Sequence, residues 1–462
     1  MPTQREWTIL LYMAGDNGKT FETKQGNYSL MAEMTTPGYH DIDEVEKIGT
    51  TDQVAVLAQF DTKGDEGTFR FEIHQGRTTE QNLVEKIAET NTGDPSELSK
   101  FIVWGMSRCP AKRTMLVLWN HGLGWKDDDV YQTVRSVSRS AGQGRKPRQV
   151  NSAMFRTTAR TLDKKAKRAK DRATRGILCD DTSMDFLTNV EMSRALRVAE
   201  FAQDEADVAA IFQDATRLDD IMQRGTEGSL RHLSAIGMDA CLMAMIEVQY
   251  QVRKFADVMI ASQEVEPMRG WPYTEILEEL NRRPAMSATE LGALIVDKYA
   301  ESYVSTTRKP PSVTQSAIDL SKMGDAALLI KSFGRALGKD YFDDLYLKEA
   351  YRDAKEFAAS QGYAFEDPEY VDLVSFLRAI LTGYRGTGTQ PDTLQAAKQL
   401  LDWLLSANSP IIKSVVTGDF KDKAHGISIY VPGAQPSPVY KDLDFNTAGW
   451  LKALDTISKP RS

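Results

Sequence analysis

The chain has few cysteines and no apolar stretch long enough to cross a membrane. Cys109, Cys179 and Cys241 are its only cysteines in 462 residues, too few for a disulfide framework in a chain of this length. No apolar run approaches the roughly 20 residues that a membrane helix needs. Residues 1–6 precede only about seven apolar residues, which fit a core strand better than a secretory signal. We therefore expect a cytoplasmic protein with no membrane association.

Short apolar stretches alternate with helical patterns along the first part of the chain. Residues 7–13, 53–60 and 114–119 are typical of strands, and further strand patterns follow at 176–181 and 258–262. This alternation predicts βαβ units and hence an α/β fold, with a doubly wound, mostly parallel sheet flanked by helices. A chain this long exceeds one ordinary domain. We expect a core over residues 1–273 and a mainly helical C-terminal subdomain over 274–462, which returns a strand near 426–431.

A histidine and a cysteine follow two of the predicted strands. His121 comes after the strand pattern Thr114–Asn120, and Cys241 lies between the short apolar run 233–238 and a predicted helix over 242–255. A helix N-terminus would lower the thiol pKa, and an imidazole can exchange the thiol proton. Considered alone, either residue is more often a packing residue. Because open α/β sheets hold their sites at the carboxyl ends of strands, the two together predict a catalytic Cys/His dyad.

Six blocks of sequence occur in the order found in one family of peptidases. These blocks are Trp7–Asn17, Trp119–Trp125, Met238–Met243, Ala261–Glu264, Gly270–Tyr273 and His425–Pro432. Through them, most of the chain resembles the clostripain-like cysteine peptidases, family C11 of the caspase-like clan CD. The resemblance implies a caspase-like core, with His121 as the catalytic histidine and Cys241 as the nucleophile. The backbone N–H groups of Gly122 and Cys241 are candidate oxyanion donors.

The resemblance also implies cleavage of proteins or peptides after basic residues, with Arg preferred and Lys as the second candidate. A buried carboxylate would offset the desolvation of such a side chain. Asp239, two residues before Cys241, matches the acid that the family uses for this purpose. The alternative role for Asp239 is an N-cap of the following helix. Arg269 lies on a loop that is near the substrate pocket in the family, where its charge would oppose a basic substrate unless it points away.

Five further polar residues are candidates for supporting the cleft. They are Asp16, Asn17, Asp180, Asp181 and Glu264. Asp180 and Asp181 begin a turn-forming run that could instead cap a helix over 190–198 or bind calcium through oxygen ligands. Acyl transfer by a thiol requires no metal or organic cofactor, but some members of the family depend on calcium. Calcium is therefore a candidate cofactor.

Residues 134–175 form a strongly basic segment between the two proposed catalytic residues. The segment holds fourteen Lys or Arg and two acids, so its net charge is +12 within a chain of net charge −8. It could be a solvated loop or, less favoured because it has a single aromatic residue, a nucleic-acid-binding patch. We favour a processing loop, because the related enzymes are cut into two chains at this position. Candidate cleavage sites are Arg145, Lys146, Arg148, Arg156, Arg160, Lys164, Lys165, Lys167, Arg168, Lys170, Arg172 and Arg175.

The sequence thus predicts a cysteine endopeptidase made as a zymogen and activated by autocatalytic cleavage in the basic segment. One alternative is activation in trans by an upstream protease in a cytoplasmic defence or cell-death pathway. A second alternative is an inactive caspase-like scaffold whose basic segment binds nucleic acid or an acidic partner. The presence of both His121 and Cys241 argues against the scaffold.

Overall fold

A computed structural model describes residues 4–18, 20–23, 26–29, 32–63, 67–125, 177–304, 311–361, 365–420 and 422–459. The chain forms two compact units. Unit 1 comprises residues 1–241 and 266–291, and unit 2 comprises 242–265 and 292–462. The sequence predicts a boundary at residue 273, whereas residues 242–265 belong to the second unit and 274–291 to the first. The basic segment 134–175 and all its candidate cleavage sites lie outside the described residues.

Unit 1 is built on a sheet whose central strands are parallel. Its strands are β1 (Arg5–Ala14), β2 (Thr20–Thr23), β3 (Gly26–Ser29), β4 (Val54–Asp61), β5 (Thr68–Glu72), β6 (Leu83–Ile87), β7 (Ala111–Trp119), β8 (Ile177–Asp180), β9 (Asp185–Leu187) and β10 (Leu233–Asp239). Six of them lie in the order β10-β7-β1-β4-β5-β6. Strands β10, β7, β1 and β4 are parallel to one another. Strand β5 runs antiparallel to β4, and β6 runs antiparallel to β5. The predicted α/β class with a mostly parallel sheet is confirmed.

The central strands owe their position to continuous apolar sequence. All eight residues of β4 are buried, as are the last eight of β1 and the last six of β7. Such runs suit parallel strands, because these are covered on both faces. The remaining strands of unit 1 form two short antiparallel pairs, β2 with β3 and β8 with β9.

Unit 1 has seven described helices, five of which begin at a residue whose side chain caps the helix. They are Thr35–Glu46, Thr79–Asn82, Pro95–Arg108, Asn189–Phe201, Glu205–Gln213, Ala215–Gln223 and Tyr273–Arg282. Asp94 caps Pro95–Arg108 by accepting from the N–H of Ser96, with proline at the first helical position. Thr188 and Glu191 form a capping box at the start of Asn189–Phe201. The helix Ala288–Val304 begins at the end of unit 1 and lies mostly in unit 2.

Unit 2 is mainly helical, as the sequence predicts for the C-terminal part. Its strands are β11 (Ala256–Ala261), β12 (Thr314–Asp319), β13 (Tyr370–Asp372), β14 (Ile411–Val416) and β15 (Ser428–Tyr430). Its other helices are Ile246–Val252, Met323–Asp340, Leu345–Gln361, Leu373–Gly383, Asp392–Leu404 and Trp450–Ser458. Strands β11, β12 and β14 pair antiparallel, and so do β13 and β15. Among the described helices of the chain, none has the length and apolar character to cross a membrane.

Candidate active site

The register of β7 and β10 determines where His121 and Cys241 lie. Trp119 at the end of β7 pairs with Asp239 at the end of β10, and the N–H of Asn120 donates to the carbonyl of Asp239 at 3.4 Å. His121 and Cys241 therefore each follow their paired strand end by two residues. Because the strands are parallel and adjacent, both residues emerge at the same edge of the sheet, as the sequence analysis expects. Both residues are fully buried, with 0% exposure.

Cys241 occupies a turn that differs from the predicted setting. The expected helix over 242–255 begins only at Ile246, so the prediction that Cys241 lies at a helix N-terminus is wrong. Leu242, the next residue, has a left-handed φ of 63°, a conformation that non-glycine residues adopt rarely and usually in tight turns. The thiol is instead held by the backbone of Glu266. The N–H of Glu266 donates to Sγ at 3.1 Å. The S–H donates in turn to the carbonyl oxygen of Glu266, which lies 3.9 Å from Sγ.

The His121 ring is oriented by a backbone carbonyl. Its Nε2 lies 3.3 Å from the carbonyl oxygen of Ala32. A carbonyl only accepts, so this hydrogen bond assigns the Nε2 position to a proton. In the neutral ring, Nδ1 is then the nitrogen that accepts a proton.

Asn120, which the sequence analysis does not single out, ties together the strand ends beside His121. Its side-chain amide donates to the carbonyl of Ala14 and to Asn17 Oδ1, the latter at 2.6 Å. Its Oδ1 accepts from the N–H of Cys179 at 3.0 Å, and Asn17 Nδ2 donates to the Cys179 carbonyl at 2.7 Å. The network is buried and joins β1, β7 and β8. A polar residue directly after a buried strand is the signal that could have indicated it.

Gly122, next to His121, forms an isolated antiparallel bridge with Ile177. Ile177 is the first described residue after the gap at 126–176. The chain that follows the basic segment is therefore held, at Ile177, beside the proposed catalytic histidine. The oxyanion role of Gly122 and Cys241 stays a prediction.

Asp239 is buried and held by aromatic residues at the start of a helix. Its Oδ2 accepts from the hydroxyl of Tyr273 at 2.8 Å and from the N–H of Trp271 at 3.5 Å. The alternative role as an N-cap is wrong, because the following helix begins at Ile246 with Met245 at the N-cap position and no side-chain cap. Its role in binding a basic substrate stays a prediction. Arg269 is exposed.

Asp16, Asp180 and Asp181 lie close together rather than at a helix end. The carbonyl of Asp16 accepts from the N–H of Asp181 at 2.8 Å, and its Oδ2 accepts from the N–H of Thr182 at 2.9 Å. Asp180 accepts from two backbone N–H groups, one of them that of Ser183. The helix after them is capped by Thr188, so the capping alternative for the two aspartates is wrong.

Glu264, the remaining cleft candidate, lies in unit 2. Its Oε1 accepts from the N–H of Val265 at 2.8 Å and from that of Glu366 at 3.3 Å. Its carboxylate thus fixes backbone within unit 2. A direct part in supporting the cleft stays a prediction.

The parallel strands bring a thiol and an imidazole to one edge of the sheet, an arrangement that suits a cysteine peptidase of α/β architecture. The model of the clostripain family, Peptidase C11, matches residues 32–146 and 163–458. The chain belongs to the clostripain family, and it is a cysteine peptidase. The residues that the model leaves unmatched between its two segments, 147–162, fall inside the basic segment.

Solved structures share the fold at low sequence identity. A secreted C11 cysteine protease from Bacteroides thetaiotaomicron, in complex with an irreversible peptide inhibitor, is 15% identical over 96% of this chain and 99% of that chain, with a TM-score of 0.56. An inactive zymogen C11 protease from Parabacteroides distasonis is 18% identical over 98% of this chain and 99% of that chain, with a TM-score of 0.55. Iotapain, also a secreted C11 cysteine protease from Bacteroides thetaiotaomicron, is 14% identical over 97% and 99%, with a TM-score of 0.57. A search of curated proteins found no significant match.

Proposed function

We propose that the protein is an endopeptidase that cleaves after Arg, and secondarily after Lys, by means of Cys241 and His121. The observation that carries the proposal is the pairing of Trp119 with Asp239, which brings both residues to one edge of the sheet. The Cys241 thiolate attacks the scissile carbonyl carbon, and backbone N–H groups stabilise the oxyanion. His121 Nδ1 first takes the proton of the Cys241 thiol and then gives it to the departing amine. Water then hydrolyses the thioester and regenerates the thiol.

Specificity for a basic residue would come from Asp239. Its carboxylate is buried one residue before the turn that holds Cys241, and Tyr273 and Trp271 fix it from one side. An Arg side chain brought to Asp239 would form charge-assisted hydrogen bonds that offset its loss of hydration. Arg269 is exposed, so water and ions screen its positive charge.

Activation by cleavage is supported by the burial of the dyad. His121 and Cys241 are each 0% exposed, and a thiol that solvent cannot reach is closed to a peptide as well. One of the similar structures is that of an inactive zymogen. We therefore propose that the intact chain is a zymogen and that cleavage of the basic segment 134–175 by the enzyme itself opens the site. Activation by an upstream protease is the second candidate route, and we propose the cytoplasm as the location.

The test is to incubate wild type and Cys241→Ala with peptides that end in Arg, Lys or Asp before a fluorogenic group. A denaturing gel follows the chain in parallel. The proposal predicts Cys241-dependent release after Arg or Lys and two fragments split within 134–175. The variant Cys109→Ala is the matched control, since Cys109 is also buried but lies after the helix Pro95–Arg108, and it should retain activity.

Other outcomes would replace parts of the proposal. Activity that appears only after a second protease is added would overturn self-processing and leave activation in trans. Release only after Asp would overturn the basic specificity. If the protein is inactive both alone and after a second protease is added, the inactive scaffold is the remaining interpretation.

A further inference from the structure

The helix Thr35–Glu46 carries two acidic residues on its buried face. Asp41 and Glu44 are three positions apart, so they lie on one side of the helix, and they are only 2% and 8% exposed. Acidic side chains are rarely buried to this extent unless hydrogen bonds hold them. The hydrogen bonds of these two residues run to two different elements of unit 1, each of which leads to a residue of the proposed active site.

Asp41 holds the end of the strand that leads to His121. Its Oδ2 accepts from Nε1 of Trp119 at 2.6 Å, and Trp119 is the last residue of β7. Ala32, whose carbonyl orients the His121 ring, lies three residues before the same helix. This contact therefore supports the imidazole side of the proposed dyad.

Glu44 holds the start of a second helix, Tyr273–Arg282. Its Oε2 accepts from the backbone N–H of Tyr273 at 3.1 Å, and its carbonyl accepts from the hydroxyl of Thr274 at 2.9 Å. Tyr273 is the first residue of that helix, and Pro272 before it provides no side-chain cap. The first N–H groups of a helix have no partner within the helix and favour a negative charge nearby. Glu44 therefore caps the second helix from a neighbouring one.

The capped residue is also the one that orients the proposed specificity carboxylate. The N–H of Tyr273 is shared between Glu44 and the carbonyl of Trp271, which lies at 3.0 Å. At the far end of the side chain, the hydroxyl of Tyr273 donates to Oδ2 of Asp239 at 2.8 Å. A tyrosine side chain has only two rotatable bonds, so the position of its backbone largely determines where its hydroxyl lies. Glu44 thus acts, through Tyr273, on the direction of the Asp239 carboxylate.

We propose that Glu44 is a positioning residue for the specificity of the peptidase toward basic side chains. It fixes the first turn of the helix, so that the Tyr273 hydroxyl holds the Asp239 carboxylate in the orientation that a guanidinium requires. Charge-assisted bonds to a guanidinium depend on this orientation. Glu44 acts on the choice of substrate, whereas Asp41 acts on the side of His121. The inference rests on the proposed cleavage after Arg.

The experiment measures kcat/KM of the processed enzyme for two peptides, one with Arg before the fluorogenic group and one with Gln in its place. Glu44→Ala should lower kcat/KM about tenfold for the Arg peptide and less than threefold for the Gln peptide. Glu44→Gln keeps an acceptor oxygen for the Tyr273 N–H and should stay within threefold of wild type for both. The matched control is Asp43→Ala, an exposed residue of the same helix, which should change neither value.

Two further variants separate positioning from a general loss of structure. Tyr273→Phe already removes the hydroxyl, so adding Glu44→Ala to it should lower kcat/KM for the Arg peptide less than a further threefold. Asp41→Ala should lower kcat/KM for both peptides to a similar extent. Thermal melting shows whether each variant is folded. If Glu44→Ala does not fold, Glu44→Asp, whose shorter side chain withdraws the carboxylate, takes its place and should show the same loss of Arg preference.

The proposed function and the role of Glu44 fail in different ways. If wild type does not prefer the Arg peptide, the proposed function is wrong and the role of Glu44 is wrong with it. If Asp239→Asn abolishes the Arg preference but a Glu44 variant without the capping contact keeps it, only the role of Glu44 is overturned. Equal losses for the two peptides in Glu44→Ala, or a further tenfold loss in the double variant, would overturn that role as well.

Discussion

The hydroxyl of Tyr273 donates to Oδ2 of Asp239 across 2.8 Å, with both residues buried. Tyr273 is the first residue of its helix, and Asp239 is the last residue of β10. The strand that leads to Cys241 is thereby joined to a second element. The bond also orients the carboxylate that we propose as the receptor for a basic side chain.

Asp239→Asn tests that role without changing the size of the side chain. We expect kcat/KM for an Arg peptide to fall at least 100-fold, because the charge-assisted bond to the guanidinium is lost. A peptide with Gln in place of Arg tests whether the lost charge is the cause. For this peptide, kcat/KM should change less than tenfold. Tyr273→Phe keeps the carboxylate and should lower kcat/KM for the Arg peptide only about tenfold. An equal loss for the Arg and Gln peptides would mean that Asp239 acts through structure alone.

Asn120→Ala should destabilise unit 1. The substitution leaves the N–H of Cys179 and Oδ1 of Asn17 without their buried partner, at a cost of about 2 to 4 kcal/mol. Chemical denaturation measures the free energy of unfolding. The exposed Asn408→Ala is the control and should stay within about 0.5 kcal/mol of wild type. If the two substitutions have the same effect, the network is not a major source of stability.

Two replacements of the basic segment test the zymogen. A short Gly/Ser linker in place of 134–175 should give a peptidase that is active as a single uncut chain. Replacing all fourteen of its Lys and Arg residues by Gln keeps the length but removes every basic cleavage site in the segment, and should leave the enzyme inactive. Initial rates with an Arg peptide, with gels to show the intact chain, give the answer. A linker variant no more active than the uncut wild type would contradict a restraining role for the segment.

Glu247 should make stability depend on pH. Burial raises its pKa to about 7, although the N–H of Tyr430 and the hydroxyl of Tyr440 donate to its Oε1. The folded protein then holds this proton at a pH where the unfolded chain has lost it. Stability from the protonated carboxyl is therefore complete below about pH 4.5 and is lost as pH rises to about 7.

Denaturation of wild type and Glu247→Gln across this range measures the effect. Wild type should lose about 3 kcal/mol relative to Glu247→Gln between pH 4.5 and pH 7.5, since one pKa unit corresponds to about 1.4 kcal/mol. Two curves that stay parallel over the range would show that Glu247 titrates normally in the folded protein.

The sequence predicted the sheet and the position of His121 and Cys241 at one edge of it, because both depend on local pattern. Buried parallel strands are continuous apolar runs, and His121 lies two residues after the end of one of them. The turn at Cys241 could not be predicted in the same way. Residues 240–246 are all apolar apart from the cysteine and all buried, so their pattern does not distinguish a turn from a helix. Nothing about a leucine indicates the left-handed φ of Leu242.

Asp16, Asp61, Glu89 and Asp180 lie close enough together to hold one metal ion, and this acidic cluster depends on contacts between distant residues. Asp16 and Asp180 were candidates because each follows or ends a strand pattern, but Asp61 and Glu89 gave no separate signal. About 160 residues separate Asp16 from Asp180, and only the assembled strand ends bring them together. The hydrogen bonds of Asn120 were not predicted either, because they too join residues that lie far apart in the sequence.

The most direct test of the central claim is covalent labelling of the processed enzyme with a thiol-reactive peptide inhibitor that ends in Arg, followed by peptide mass mapping. The account predicts one label per chain on Cys241 and none on Cys109 or Cys179. It also predicts that His121→Ala slows labelling at least 100-fold, since the imidazole generates the thiolate. Label distributed over the three cysteines, or a rate unchanged by His121→Ala, would contradict the Cys241/His121 dyad.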